Sequence, residues 1–120
     1  MLIEEPDALA KTNRINLLFD FYEPLLTEKQ RTFLKYYFHD DYSLGEIAAE
    51  SGISRQAVYE HVKRAEQVLE SYEGKLQLLA KHESRQRHVM ELERSIAELA
   101  VGEAEKKRLL AAIERLTTTE

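Results

Sequence analysis

The chain has 120 residues, no cysteine and a formal net charge of −5, which suits one compact domain or a small domain with a helical extension. Without thiols it can form neither disulfides nor thiolate metal sites, and a reducing cytoplasm is the expected compartment. No apolar run approaches membrane-spanning length and Met1–Pro6 lacks the basic start of a signal peptide, so a cytoplasmic protein without membrane contact is expected.

Only four Gly and two Pro interrupt a chain rich in Glu, Leu, Ala, Lys and Arg, which predicts an all-α fold. A first helix is expected from Asp7 to Glu23, ended by Pro24. Leu9, Ile15, Leu18, Phe19 and Tyr22 form one apolar stripe on it, and Leu17 and Phe21 a second. A second helix starts at a Thr27/Gln30 capping box, carries Phe33, Leu34, Tyr36, Tyr37 and Phe38, and ends near His39. The turn Asp40-Asp41-Tyr42 follows.

Residues 43–58 then read as a helix-turn-helix. Ser43 and Glu46 make a capping box, and Ala48 sits where two helices must cross closely. Gly52 falls where the backbone must leave the helix through a left-handed conformation that glycine adopts cheaply. Ile53 is expected in the core, Ser54 as the cap of the next helix, and Val58 and Val62 on its inner face.

The 3-4-3-4-3 spacing of Val62, Ala65, Leu69, Tyr72, Leu76 and Leu79 predicts that this helix continues from Ser54 to about Lys81, with Gly74 as its weak point. Val89, Leu92, Ile96 and Leu99 resume the stripe in another phase, which predicts a bend around 83–85. Gly102 marks a turn, Leu109, Ile113 and Leu116 a last stripe, and Thr117–Glu120 an end expected to fray. The expected organisation is a helix-turn-helix domain over 1–80 and a C-terminal helical extension over 81–120 that packs on it or on a partner subunit. Apolar surface left over on the first helix and the long seam (Leu17, Phe21, Leu69, Tyr72, Leu76, Leu79) points to a homodimer.

With Val58 and Val62 inward, Gln56, Glu60, Lys63 and Gln67 lie outward, flanked by Arg55 and Tyr59. The candidate nucleic-acid contacts are Ser54, Arg55, Gln56, Tyr59 and Lys63: an amide that could read adenine, cations for phosphates, and a ring that could stack. Charge argues the other way. Residues 1–74 carry eight Lys/Arg against fourteen Asp/Glu, and residues 75–120 nine against eight. Within 43–64, Arg55, Lys63 and Arg64 only balance Glu46, Glu50 and Glu60, so the basic footprint usual for a DNA reader is missing. The same surface would equally serve a module that meets protein or solvent.

Lys81–His88 is the most basic short window and reads either as a phosphate contact or as a solvated bend. His82 and His88 are six apart and share no helix face as a metal pair would, and His39-Asp40-Asp41 has no companion cluster. No metal, cofactor or catalytic residue is expected. No phosphate loop, Cys nucleophile or Ser/His/Asp constellation is suggested by the spacing.

The segment from Tyr42–Ala48 through Gly52–Val58 resembles region 4 of bacterial sigma factors, which reads the −35 promoter element. Together with Arg14–Tyr22, Leu25–Gln30, Asp41–Ala48 and Ser54–Tyr59, it more closely resembles the YlxM family of small bacterial proteins, over roughly residues 9 to 80. The resemblance implies a sigma-region-4-like helix-turn-helix with a long helical C-terminal extension. That family is associated, by gene neighbourhood, with the signal recognition particle protein and its receptor, which implies an accessory or regulatory role in that pathway. Signal recognition particle RNA, its protein, or DNA are then the expected partners. Tyr59-Glu60-His61 stand where sigma factors usually place more Lys or Arg, which leaves RNA or protein contact as alternatives to promoter binding. A non-enzymatic nucleic-acid-binding accessory of that pathway is the expectation. A DNA-binding transcriptional regulator and a protein-interaction adaptor are its rivals.

Overall fold

In a computed structural model, which describes residues 6–118, the chain forms six α-helices and no strand among those residues. Two compact units divide between Leu79 and Ala80. Helix α1 (Pro6–Tyr22) buries Ile15, Leu18, Phe19 and Tyr22, the expected stripe, while Leu9 and Leu17 stay exposed and Phe21 is half-buried. A 3₁₀ turn, Glu23–Leu25, follows, because Pro24 offers no amide donor to continue the helix.

Helix α2 (Glu28–Leu34) opens on the Thr27/Gln30 box: the Gln30 amide donates to Thr27 Oγ1 at 3.2 Å and the Thr27 amide to Gln30 Oε1 at 2.9 Å. It widens into one π turn, Lys35–His39, where Asp40 N–H reaches back to Lys35 O at 2.9 Å. Phe33, Leu34 and Phe38 are buried and Tyr37 is partly exposed.

Helix α3 (Leu44–Ser51) carries the second reciprocal box: the Glu46 amide donates to Ser43 Oγ at 3.0 Å and the Ser43 amide to Glu46 Oε1 at 3.1 Å. Gly52 ends it at φ 69°, ψ 26°, its N–H donating to Ala48 O at 2.9 Å. Helix α4 (Arg55–Leu76) starts one turn later, Ser54 Oγ accepting from the Ala57 amide at 3.0 Å. Each such cap is worth about 1 kcal/mol. Ile53 corrects the sequence expectation: it is 36% exposed, because Ile47 and Val58, both fully buried, already fill the space behind the turn.

Helix α4 packs against α1, α2 and α3, and its Val58, Val62, Ala65 and Leu69 are the floor of the core. Burial of each larger side chain contributes roughly 1.5–3 kcal/mol. Arg14 ties α1 to α4 through two donors to Glu70, both at 2.8 Å.

The long seam does not run unbroken to Lys81. Gln77, at φ 56°, ends α4, and α5 (Leu78–Ala97) begins at once, so Leu76 is 43% exposed while Leu79, on the new helix, is buried. Gly74 lies inside α4 and breaks nothing. Two buried side chains make the junction: Tyr22 Oη accepts from the Leu78 amide at 3.1 Å and donates to Glu73 Oε1 at 2.6 Å, and that oxygen also accepts from the Leu79 amide at 3.0 Å. Amides that open α5 are thus satisfied by groups from α1 and α4, with a carboxylate at the helix's positive end.

The helix is not interrupted near 83–85, where a bend was expected; α5 is continuous through the basic window. In the second unit, α5 and α6 (Glu103–Thr118) form an antiparallel hairpin around Gly102. Lys106 Nζ donates to Ala97 O at 3.1 Å, and Thr117 lines a hollow with His82, Val89 and Met90. Thr117 and Thr118 remain helical, bonding Glu114 O, whereas Thr119 and Glu120 lie outside the described residues. Of the expected stripes only Ile96 and Ile113 are buried; Leu92, Leu99, Leu109 and Leu116 are exposed and Val89 is half-buried.

Candidate nucleic-acid interface

The start of α4 presents the candidate residues because Gly52 turns the chain and Ser54 fixes the first helical turn. Ser54 Oγ is occupied as an acceptor by the Ala57 amide, leaving its hydrogen to donate outward. Arg55 and Gln56 are exposed, Tyr59 is 44% exposed, and with Leu44 of α3 they line a shallow depression of ≈ 390 Å³. Arg55 makes no ion pair among the described residues. Gln56 Nε2 leans on Glu60 Oε1 at 3.5 Å, so the carboxylate competes for the amide donor a base would need.

Lys63 lies at the α1 edge of this face. Its ammonium stands 5.7 Å from the Tyr59 ring centroid and 3.9 Å from Glu66, a buried carboxylate that also pairs with Lys11 of α1 at 3.0 Å. The Lys11 amine beside it lowers the pKa of Lys63. Much of the positive charge on this flank is therefore spent inside the protein.

The opposite flank of α4 differs. His61 stacks on Phe33 of α2, ring centroids 5.0 Å apart and planes 8° from parallel. Its pKa lies below the usual histidine value, first through burial and then through the charges of Lys29 and Arg64, with Glu60 opposing weakly. Lys29, His61 and Arg64 line one groove with Thr27, Gln30 and Phe33. The charge balance over 43–64 could not find this groove, since Lys29 lies on another helix. The signal was present only as cations at positions that the fold brings beside α4.

The basic window contributes no comparable cluster: His88 Nδ1 lies 3.8 Å from Glu91, and His82 and Arg85 line the α5–α6 hollow. Among the described residues no His, Cys, Asp or Glu group is arranged to hold a metal, and no helix is long and apolar enough to cross a membrane.

Residues 9–111 match a family described as "Putative helix-turn-helix protein, YlxM / p13 like". A UPF0122 protein of Bacillus thuringiensis (strain Al Hakam) is 53% identical over 108 residues, covering 90% of this chain and 98% of that protein. UPF0122 proteins of Bacillus cereus (strain 03BB102) and Bacillus anthracis (strain A0248) match at the same 53% identity and the same coverage. With the capped turn at Gly52 and the exposed start of α4, this places the chain in the UPF0122 family of YlxM/p13-like helix-turn-helix proteins.

Proposed function

We propose that this protein is a non-enzymatic, cytoplasmic, nucleic-acid-binding accessory of the signal recognition particle pathway, with α4 as the contacting helix. The observation that carries the binding part is the exposed trio Arg55, Gln56 and Tyr59 at the capped start of α4, Arg55 lacking an ion-pair partner among the described residues. The pathway part rests on the YlxM resemblance. Charge on this face is modest, so binding is weak and salt-sensitive, with a shallow slope set by few phosphate contacts. Titration of signal recognition particle RNA and of random duplex DNA tests the reading. Arg55→Ala should weaken binding across sequences, and Glu60→Lys should strengthen it by removing a carboxylate from the face. If Glu60→Lys binds both as wild type does, the face does not meet nucleic acid and the protein-adaptor reading takes first place. Preference for one duplex sequence, lost in Gln56→Ala, would favour a transcriptional regulator.

A homodimer belongs to the same reading, though not through the long seam, whose Leu69 and Leu79 are buried within one chain. Met90, Leu92, Leu99, Val101, Leu109, Leu110 and Leu116 are all exposed on the α5–α6 hairpin, and a second copy of that hairpin would cover them. Sedimentation at micromolar concentration should give twice the chain mass; a monomer there refutes it.

A further inference from the structure

The groove between α2 and α4 is chemically one-sided. Lys29, His61 and Arg64 reach it from two helices, Thr27 and Gln30 supply polar groups, and no carboxylate lines its ≈ 270 Å³. Lys29 and Arg64 are exposed and make no ion pair among the described residues, unlike Lys11 and Lys63 across the helix. Gln30 is held in one orientation: its Oε1 is committed to the Thr27 amide at 2.9 Å, which leaves the Nε2 hydrogens as the group's free donors. The imidazole is fixed flat against Phe33, so the ring that lines the groove is held in one plane. Three kinds of N–H donor thus line a groove that has no carboxylate in its wall, Glu60 acting on His61 only weakly from outside it, and phosphate oxygens are the complement of such a set.

We propose that this groove binds a phosphate of a nucleic-acid backbone, with Lys29 and Arg64 as its cations and Gln30 and His61 as oriented donors, while α4 presents Arg55 and Gln56 to the same strand pair. The inference rests on the nucleic-acid reading of α4 and adds a second element, α2, to the contact. It also explains why the motif alone looks charge-neutral: part of the footprint is carried by a helix outside it. Arriving phosphate would offset the charges of Lys29 and Arg64 that, after burial, hold the His61 pKa down. The imidazole should therefore become easier to protonate in the complex.

The test uses the full chain with a mixed-sequence duplex DNA, an RNA hairpin, and inorganic phosphate at matched ionic strength. Binding is followed against salt, and the His61 ring resonance by NMR. In the better-binding oligonucleotide the His61 resonance should move and its pKa rise. Lys29→Ala with Arg64→Ala should lower the salt slope by about one unit, the loss of one phosphate contact, whereas Lys75→Ala should not change it. If Arg55→Ala weakens binding while the groove variant keeps the wild-type slope and His61 does not respond, α4 binds without α2 and this proposal fails alone. If inorganic phosphate moves His61 as far as the oligonucleotides do and the slope is unaltered, the groove takes free anions and the backbone assignment is wrong. If neither oligonucleotide binds the wild type, both readings fall together.

Discussion

The two units differ in what they do with the same kind of sequence. In the first, fourteen of the described apolar residues, from α1, Leu26, α2, the π turn, α3, α4 and the start of α5, form one buried cluster. In the second, two amphipathic helices and their connecting turn bury only Ile96 and Ile113 among the described apolar residues and leave seven large apolar side chains exposed. Helical periodicity marks which residues require cover. It does not say whether the same chain provides it. A two-helix hairpin has one contact face, whereas α4 is covered by three neighbours.

The largest expected effect tests that contrast directly. Leu69 is fully buried, so Leu69→Ala should cost about 2–5 kcal/mol in urea unfolding, from lost burial and the cavity left behind. Leu116, 72% exposed, should change unfolding of the isolated chain by less than about 0.5 kcal/mol when replaced by Ala. Its effect should show in sedimentation instead, as weaker self-association. Equal losses of unfolding stability for the two variants would mean that the second unit also covers its apolar stripe within one chain.

A smaller effect is expected at the junction that opens α5. Tyr22→Phe removes both the donor to Glu73 and the acceptor for the Leu78 amide, at a fully buried side chain, and should cost about 1–3 kcal/mol. Burial, and then the bond to Glu73, raise the Tyr22 pKa above 10.0. The unfolded chain therefore releases this proton first as pH rises. Stability from the phenol is complete below pH 10.0 and is lost as pH climbs through that value towards the folded pKa. Urea midpoints between about pH 9 and 11 should fall more steeply for wild type than for Tyr22→Phe; parallel curves would mean the hydroxyl is not held as described.

Gly52→Val follows in size. A Cβ at Gly52 would meet nothing within 4 Å, so the penalty is one of backbone conformation alone. At φ 69° it should be about 1–2 kcal/mol, read in thermal or urea unfolding. A larger loss would mean the turn also packs against something, and no loss would mean it relaxes.

These positions show why the fold was partly legible. Both capping boxes, Gly52 and the inward valines are local grammar, and Thr27, Ser43, Ser54 and Gly52 hold the roles their neighbours in sequence imply. Ile53 was misread because its place in the core depends on what Ile47 and Val58 already fill. The junction at Gln77 was hidden for a similar reason: its caps are Tyr22, more than fifty residues away, and Glu73, which in sequence looks like any surface glutamate. Arg55, Gln56 and Tyr59 could be placed together from the helix wheel alone. Lys29 and Lys11 could not, since only the packing of α2 and α1 on α4 brings them to that helix, on its two opposite flanks.

The smallest expected effects lie at a pair of residues that sit in each other's natural places. Gly74 lies within α4, exposed, with open space where a Cβ would stand, so its flexibility serves no contact. Gln77 adopts the left-handed conformation at φ 56° that a glycine would adopt without strain. Gly74→Ala should stabilise by roughly 0.5–1 kcal/mol, because alanine restricts the unfolded chain and suits the helix. Gln77→Gly should gain less, a few tenths of a kcal/mol, since relief of the left-handed strain is offset by the freer unfolded glycine. Paired urea titrations would resolve both. If Gly74→Ala destabilises instead, α4 needs a yielding point at that turn, and the boundary between the two helices is set before Gln77 rather than at it.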